Sequence, residues 1–348
     1  MPERRGPLFV TILVAVGLLI AVSAWLLTDP ATSRATSPRT GGLASGAVIA
    51  LYALWLNDRR RRVEENRQRT ERERHELELL RAERDRERVT DERFAKSVEL
   101  LGHEADQVRV GALHALAGLA RSNPEYTQTV LDVLCSYLRR PFPHPGYGDD
   151  TDEAEARREQ QVRLAAQRQI QELLPPRGPE AVVYDLDLAG ARLDRFHLKG
   201  RAVGRLYLQQ AQLLHRTSFA DAEFHGRVYL TALDSRGPIT VAGAVFHQKV
   251  KLEGVHARHE VDFDGATFEA EVSIADGSFD GPVSFRDTRA AAVDLRRARF
   301  ADHVDLRLAA EAVSLYNTEV DQAREVRLPA AWSLEPLAGG RARIRVGG

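Results

Sequence analysis

Beyond residue 183 an apolar residue returns at every fifth position, a period that suits neither an α-helix nor a simple β-strand. Leu188, Leu193, Leu198, Val203, Leu208 and Leu213 keep strict five-residue steps. One inserted residue then changes the rhythm to five plus six. Phe219 and Phe224 lead to Leu230, and the pairs Val241 and Phe246, Leu252 and Ala257, Phe263 and Phe268, Ile274 and Phe279, and Phe285 and Ala290 follow. Two positions earlier stand small or branched apolar residues such as Ala222, Ala244, Val250, Val261, Ala266, Val272 and Val283. Glycine often comes two positions later, at Gly226, Gly243, Gly254, Gly265 and Gly281. The beat runs on through Leu295, Phe300 and Leu306 and fades near Tyr316. A short fixed period signals stacked units, none of which buries enough surface to fold alone, so both ends need caps.

The A-x-[LF]-x-x units resemble the pentapeptide-repeat superfamily. Val261-Asp262-Phe263-Asp264-Gly265-Ala266-Thr267-Phe268 is similar to its V-x-F-x-G-A-x-F variant. Over residues 1–328 the chain resembles the membrane-anchored pentapeptide-repeat proteins of actinobacteria. In those a two-span hairpin, a charged segment and a block like Glu92–Gly102 precede the repeats, and the likeness extends to Val108–Arg121 and Tyr137–Phe142. The resemblance implies an all-β solenoid, a right-handed quadrilateral β-helix with about four pentapeptides per coil. The central Leu or Phe and the small residue two before it then point inward, and the other three positions face water. At about 4.8 Å per coil, residues 183–328 amount to about seven coils and a rod of roughly 33 Å. Arg201, Arg227 and Asp234-Ser235-Arg236-Gly237-Pro238 depart from the pattern.

Two apolar stretches precede all this. Pro7 to Leu27 carries no charge, follows Arg4 and Arg5, and at the helical rise covers roughly 30 Å, the thickness of a bilayer core. Gly41 to Leu56 is shorter, about 24 Å by the same rise, and runs into Tyr52, Trp55 and Arg59-Arg60-Arg61-Arg62. Positive charge flanking both stretches predicts a two-span transmembrane hairpin over residues 1–57, in a multi-pass cell-membrane protein with both termini cytoplasmic. A cleaved signal peptide ending at Val22-Ser23-Ala24 is the alternative for the first stretch. Gly42, Gly46 and Ala50, with Gly17 and Ala21, suit close helix packing within the hairpin or a homodimer. Neither stretch holds an ionisable residue, which argues against a transporter or pump.

Residues 58–89 are almost wholly Arg, Glu and Asp, which predicts a solvated helical stalk without a coiled-coil seam. Residues 90–140 read as a small α-helical module. Thr90 caps a helix through Phe94, Val98 and Leu101, a second carries Val108 to Leu119, and Asn123-Pro124 opens a third ending at Arg140-Pro141. Residues 141–150 form a Pro/Gly/Asp linker, and 151–176 a helix with Val162, Ile170 and Leu173 that caps the solenoid of 183–328. Residues 329–348 are the C-terminal cap and tail, with Ala330 to Leu337 covering the last coil.

No catalytic, cofactor or metal residue is assigned. His103-Glu104-Ala105-Asp106-Gln107 lacks the second histidine of a zincin motif, and His256 and His259 have no evident third ligand. Cys135, the one cysteine, excludes a disulfide framework and reads as a buried small apolar residue. There is no phosphate loop and no nucleophile elbow. Residues 183–328 hold 22 acidic and 19 basic side chains, too near neutral for a DNA mimic that inhibits topoisomerase. The expected role is a membrane-tethered interaction scaffold without enzymatic activity or cofactor. Its partners are membrane lipid, at Arg59–Arg62, and a cytoplasmic or membrane protein rather than nucleic acid. An enzyme or regulator with a site between helical module and solenoid is the alternative.

Overall fold

The computed structural model describes residues 37–346, together with Leu13, Val16, Gly17, Ile20, Ala21, Ala24 and Trp25. It divides into two units, residues 1–87 and 88–348. Helix α1 (Ser37–Leu100) runs unbroken through Thr90, where the sequence suggests a new helix start. Nothing there forces a break, since the neighbours are helix-favouring Arg and Glu without Gly or Pro. Pairs one turn apart, such as Arg67–Glu71 (3.3 Å) and Arg88–Glu92 (2.9 Å), line its solvated surface.

The two membrane crossings read from hydropathy are corrected here. No helix among the described residues is long and apolar enough to cross a membrane. Gly41–Leu56 lies inside α1, and its roughly 24 Å falls short of the roughly 30 Å hydrocarbon core before the helix turns charged at Asp58. The first stretch, Pro7–Leu27, lies mostly outside the described residues. The multi-pass membrane location with cytoplasmic termini loses its structural basis with these spans.

From Leu186 onward the chain is a parallel β-solenoid whose coils each have four faces. On the first face Leu186, Leu206, Val228, Val250, Val272, Val293 and Val313 pair in succession, so seven rungs enclose six turns rather than seven coils. The step between partners is 22 residues in the middle, as from Val228 to Val250 to Val272, and 20 at the first step, Leu186 to Leu206. Backbone amides reach the next coil, as from Leu208 N to Tyr229 O and from Leu230 N to Lys251 O, both 2.7 Å. These rung donors are thereby satisfied at the same step that stacks the side chains.

The five-residue beat is the inward-facing set. Leu188, Leu198, Leu208, Phe224, Phe263 and Phe285 are all buried. Because rungs lie about 4.8 Å apart, inward phenylalanines stack face to face: Phe224 on Phe246 and Phe246 on Phe268 at 4.8 Å, and Phe263 on Phe285 at 4.3 Å. Ser235 occupies an inward position in the irregular Asp234–Pro238 segment, and its hydroxyl donates to Gly237 O at 2.7 Å. The position two after a central apolar residue turns the corner in the left-handed region, at Gly243 and Gly265 but also at Ala232 and Asp221. Gly226 and Gly281 serve differently. A Cβ at Gly281 would come within 2.5 Å of the His259 carbonyl carbon on the preceding coil.

Three helices close the first coil: α2 (Asp106–Ser122), α3 (Thr127–Arg139) and α4 (Glu153–Leu173). Asp152 caps α4, accepting from Glu155 N at 2.8 Å. Leu131, Leu134, Leu138, Val162 and Ile170 belong to one core cluster with Leu186 and Leu193, so the solenoid core continues into the helices. Both α3 and α4 reach the coil: Gln128 exchanges hydrogen bonds with the Asp185 backbone (3.0 and 2.9 Å), and Gln160 donates to Asp194 (2.7 Å). Arg201 has a reason here, since its guanidinium donates to Leu174 O at 3.1 Å just past the end of α4. At the other end an antiparallel hairpin, Trp332–Pro336 with Arg341–Val346, pairs antiparallel with Glu319–Asp321 and buries Ala342 and Ile344. Reversed strand direction ends the parallel stack.

Candidate functional sites on the solenoid

Register converts a 22-residue spacing into a column of neighbouring side chains. On the first face, Tyr207 stacks on Tyr229 (5.4 Å, 3° between planes), and Lys251 follows on the next rung. One residue before each buried rung residue stand Arg205, Arg227 and Lys249. Arg205 is held by Asp185 (2.8 Å) and Lys249 by Glu271 (2.8 Å). Arg227, exposed between them, has no ion-pair partner among the described residues. The face thus combines two half-buried aromatic rings with one uncompensated guanidinium.

A second cluster stands on the face formed by Glu223–Phe224, Val245–Phe246 and Thr267–Phe268. Phe224 points into the core, so Glu223 and His225 on either side of it point out. Pairing of Phe246 with Phe224 sets His247 above His225, and pairing of Phe268 with Phe246 sets Glu269 above His247. The imidazoles of His225 and His247 lie 4.9 Å apart. His247 Nε2 is 3.0 Å from Glu223 Oε1, and its Nδ1 is 2.8 Å from Glu269 Oε2. These two carboxylates, Glu269 first, raise the His247 pKa above the ordinary imidazole value. His225 Nε2 is 3.7 Å from the same Glu223 Oε1, buried and without a hydrogen-bond partner among the described residues. Arg177 approaches the other oxygen, Glu223 Oε2, at 3.6 Å and donates to Gly243 O at 3.3 Å. Among the described residues Glu223, His225 and His247 are the one group of three such side chains whose ligand atoms all fall within 4.8 Å of one another.

The residues singled out in the sequence fall elsewhere. His103 Nδ1 accepts from Ala105 N at 3.0 Å in the exposed turn between α1 and α2. His256 sits between carboxylates, Asp280 at 2.9 Å and Asp234 at 3.6 Å, while His259 lies exposed in the following bend. Cys135 is buried in α3, and burial pushes its thiol up to about 12. Arg163, which the sequence does not mark out, is 2% exposed and turns into the cap. It donates to Leu138 O and, at 3.0 Å, to Arg140 O, satisfying carbonyls at the end of α3, and lies over the Phe142 ring at 4.7 Å. Burial lowers its pKa. An open cleft of about 710 Å³ beside it is lined by Glu104, Arg109, Arg140 and Glu159, and Arg109 bridges Asp106 and Glu159 within it.

No known protein family, no curated protein and no solved structure matches this chain.

Proposed function

We propose that the chain is an interaction scaffold whose binding surface is the first face of the solenoid. The fold is compatible with a pentapeptide-repeat β-helix, and repeat rods of this kind offer extended, stiff surfaces for partners. The observation that carries the reading is Arg227, exposed and without an ion-pair partner among the described residues, two positions before Tyr229 of the Tyr207–Tyr229 stack. Tyrosine and arginine are residue types that anchor protein interfaces, tyrosine by burying a large area at low conformational cost and arginine by its planar fork of donors for carboxylates. The partner suited to this face is a protein segment carrying a carboxylate for Arg227 and an apolar side chain for the tyrosines. The role is one of binding without turnover.

The test is a photo-crosslinking residue placed at Tyr229 in the full chain, read by mass spectrometry in cells. A specific neighbour is expected, lost in Arg227→Glu and kept in Arg258→Glu on another face. No specific neighbour, or one indifferent to Arg227→Glu, would refute the assignment.

A further inference from the structure

The geometry points to a divalent-cation site of the zinc class on the solenoid surface. We infer that Glu223, His225 and His247 bind one such ion, with Glu269 holding His247 in its ligating tautomer. The inference rests on a different face from the proposed partner surface and stands independently of it.

Three features carry it. The first is the donor set. Two imidazole nitrogens and one carboxylate oxygen are the ligands that borderline divalent ions such as Zn²⁺ prefer, and three protein ligands leave one position open. The second is spacing. Bonds of about 2.0–2.1 Å in a tetrahedral shell put neighbouring ligand atoms about 3.4 Å apart. Glu223 Oε1 lies 3.0 Å from His247 Nε2 and 3.7 Å from His225 Nε2, on either side of that value. The two imidazole nitrogens lie within 4.8 Å of each other, so side-chain rotation that closes the rings on the carboxylate centres an ion among the three. The third is the supporting shell. A ligating histidine ordinarily donates its second ring N–H to a carboxylate, which fixes the tautomer and strengthens the ligand. His247 Nδ1 faces Glu269 Oε2 at 2.8 Å in the required place. His225 Nε2, buried without a hydrogen-bond partner among the described residues, gains a partner when it becomes a ligand.

The surroundings admit the ion. Below His225 on the preceding coil the register places Gly204, whose side-chain position is taken by the Asp185 carboxylate, a group that attracts a cation. Glu223, His225 and His247 all retain partial exposure, so the ion can enter from solvent and keep water at its open position. Arg177 is the opposing group. Its guanidinium is turned to Glu223 Oε2 and leaves Oε1 to the imidazoles, but its charge repels a cation through space. Ligands from two successive coils would make the ion a staple across one rung, and binding to the folded chain alone raises its stability.

The experiment uses the full chain stripped with chelator, then titrated with Zn²⁺ against a chromogenic competitor and with Co²⁺ read by visible absorption. One equivalent is expected to bind, with the intense cobalt bands of a four- or five-coordinate site. His225→Gln and His247→Gln should each weaken Zn²⁺ by more than about tenfold and abolish those bands. Glu269→Gln should weaken it by about 10- to 100-fold, as a lost outer-shell carboxylate does. His256→Gln should leave it unchanged, and Arg177→Gln should tighten it. The melting temperature should rise with added Zn²⁺ in the parent chain and not in His247→Gln. All these side chains stand outside the core, and unchanged circular dichroism checks that each variant folds. No stoichiometric Zn²⁺ binding, or binding of equal strength in the His225 and His247 variants, would overturn the site.

Discussion

Phe246→Ala probes the stacked core where it is most continuous. Phe246 is 3% exposed and lies between Phe224 and Phe268, each 4.8 Å away and within 6° of parallel. Truncating a buried phenylalanine costs about 3–5 kcal/mol through lost transfer energy and the cavity left behind. Two ring neighbours lose their stacking, each pair being worth about 0.5–1.5 kcal/mol, so the cost belongs at the upper end, about 4–5 kcal/mol. Phe300→Ala removes one ring neighbour, Phe279 at 5.1 Å, and should cost less, about 3–4 kcal/mol. Coils are coupled mainly to their neighbours, so a break at Phe246 should also lower the cooperativity of unfolding. Urea titration followed by circular dichroism measures both midpoint and slope. A cost below about 1.5 kcal/mol, the range of a well-tolerated core exchange, would refute the stacked register. So would a cost no larger than that of Tyr316→Ala, at a side chain 64% exposed.

Three further outcomes follow from the geometry. Ala232 turns a corner at φ 54°, so Ala232→Gly should stabilise the chain by about 0.5–1 kcal/mol, and an unchanged or lower melting temperature would contradict this. Cys135, with its thiol pushed up to about 12 by burial, should resist thiol reagents at pH 8 in the native chain and react fully in urea. Rapid native labelling would place it at the surface. Arg307 lowers the Asp305 pKa through their hydrogen bonds, so the pair stabilises the fold above the unfolded carboxylate pKa of about 3.9 and ceases to as pH falls through the lower folded value. Arg307→Gln should therefore be less stable than the parent at pH 6, with the gap closing in strong acid. A gap that persists there would assign the loss to packing instead.

The solenoid was legible because its period acts at the level of single residues. An inward residue every fifth position is visible in Leu188 to Leu213 without any knowledge of pairing. Corners were half legible. Gly243 and Gly265 mark them, but Ala232 and Asp221 adopt the same backbone with side chains that give no such signal. Gly226 and Gly281 look alike in sequence yet answer to close backbone approach instead. The membrane hairpin failed on length: Gly41–Leu56 covers only about 24 Å of α1 before the charges at Asp58 begin, against a hydrocarbon core of roughly 30 Å. The glutamate–histidine cluster was hidden for another reason. Glu223, His225, His247 and Glu269 are dispersed along the chain and meet only once the 22-residue step is known. The signal was nonetheless present as Phe224-His225 and Phe246-His247, the same dipeptide one coil apart. Arg163 had no signal at all, since its burial depends on where α3 ends.

That 22-residue register builds the tyrosine face and the histidine pair alike. It can be measured with cysteine pairs in a Cys135→Ser background, using dibromobimane, a short reagent that fluoresces only on bridging two thiols. Tyr229 and Lys251 are register partners on adjacent rungs, whereas Thr240 sits half a coil away on another face. Tyr229→Cys with Lys251→Cys should bridge and fluoresce, and Tyr229→Cys with Thr240→Cys should not. Fluorescence from the second pair, or none from the first in a folded chain, would contradict the solenoid described here.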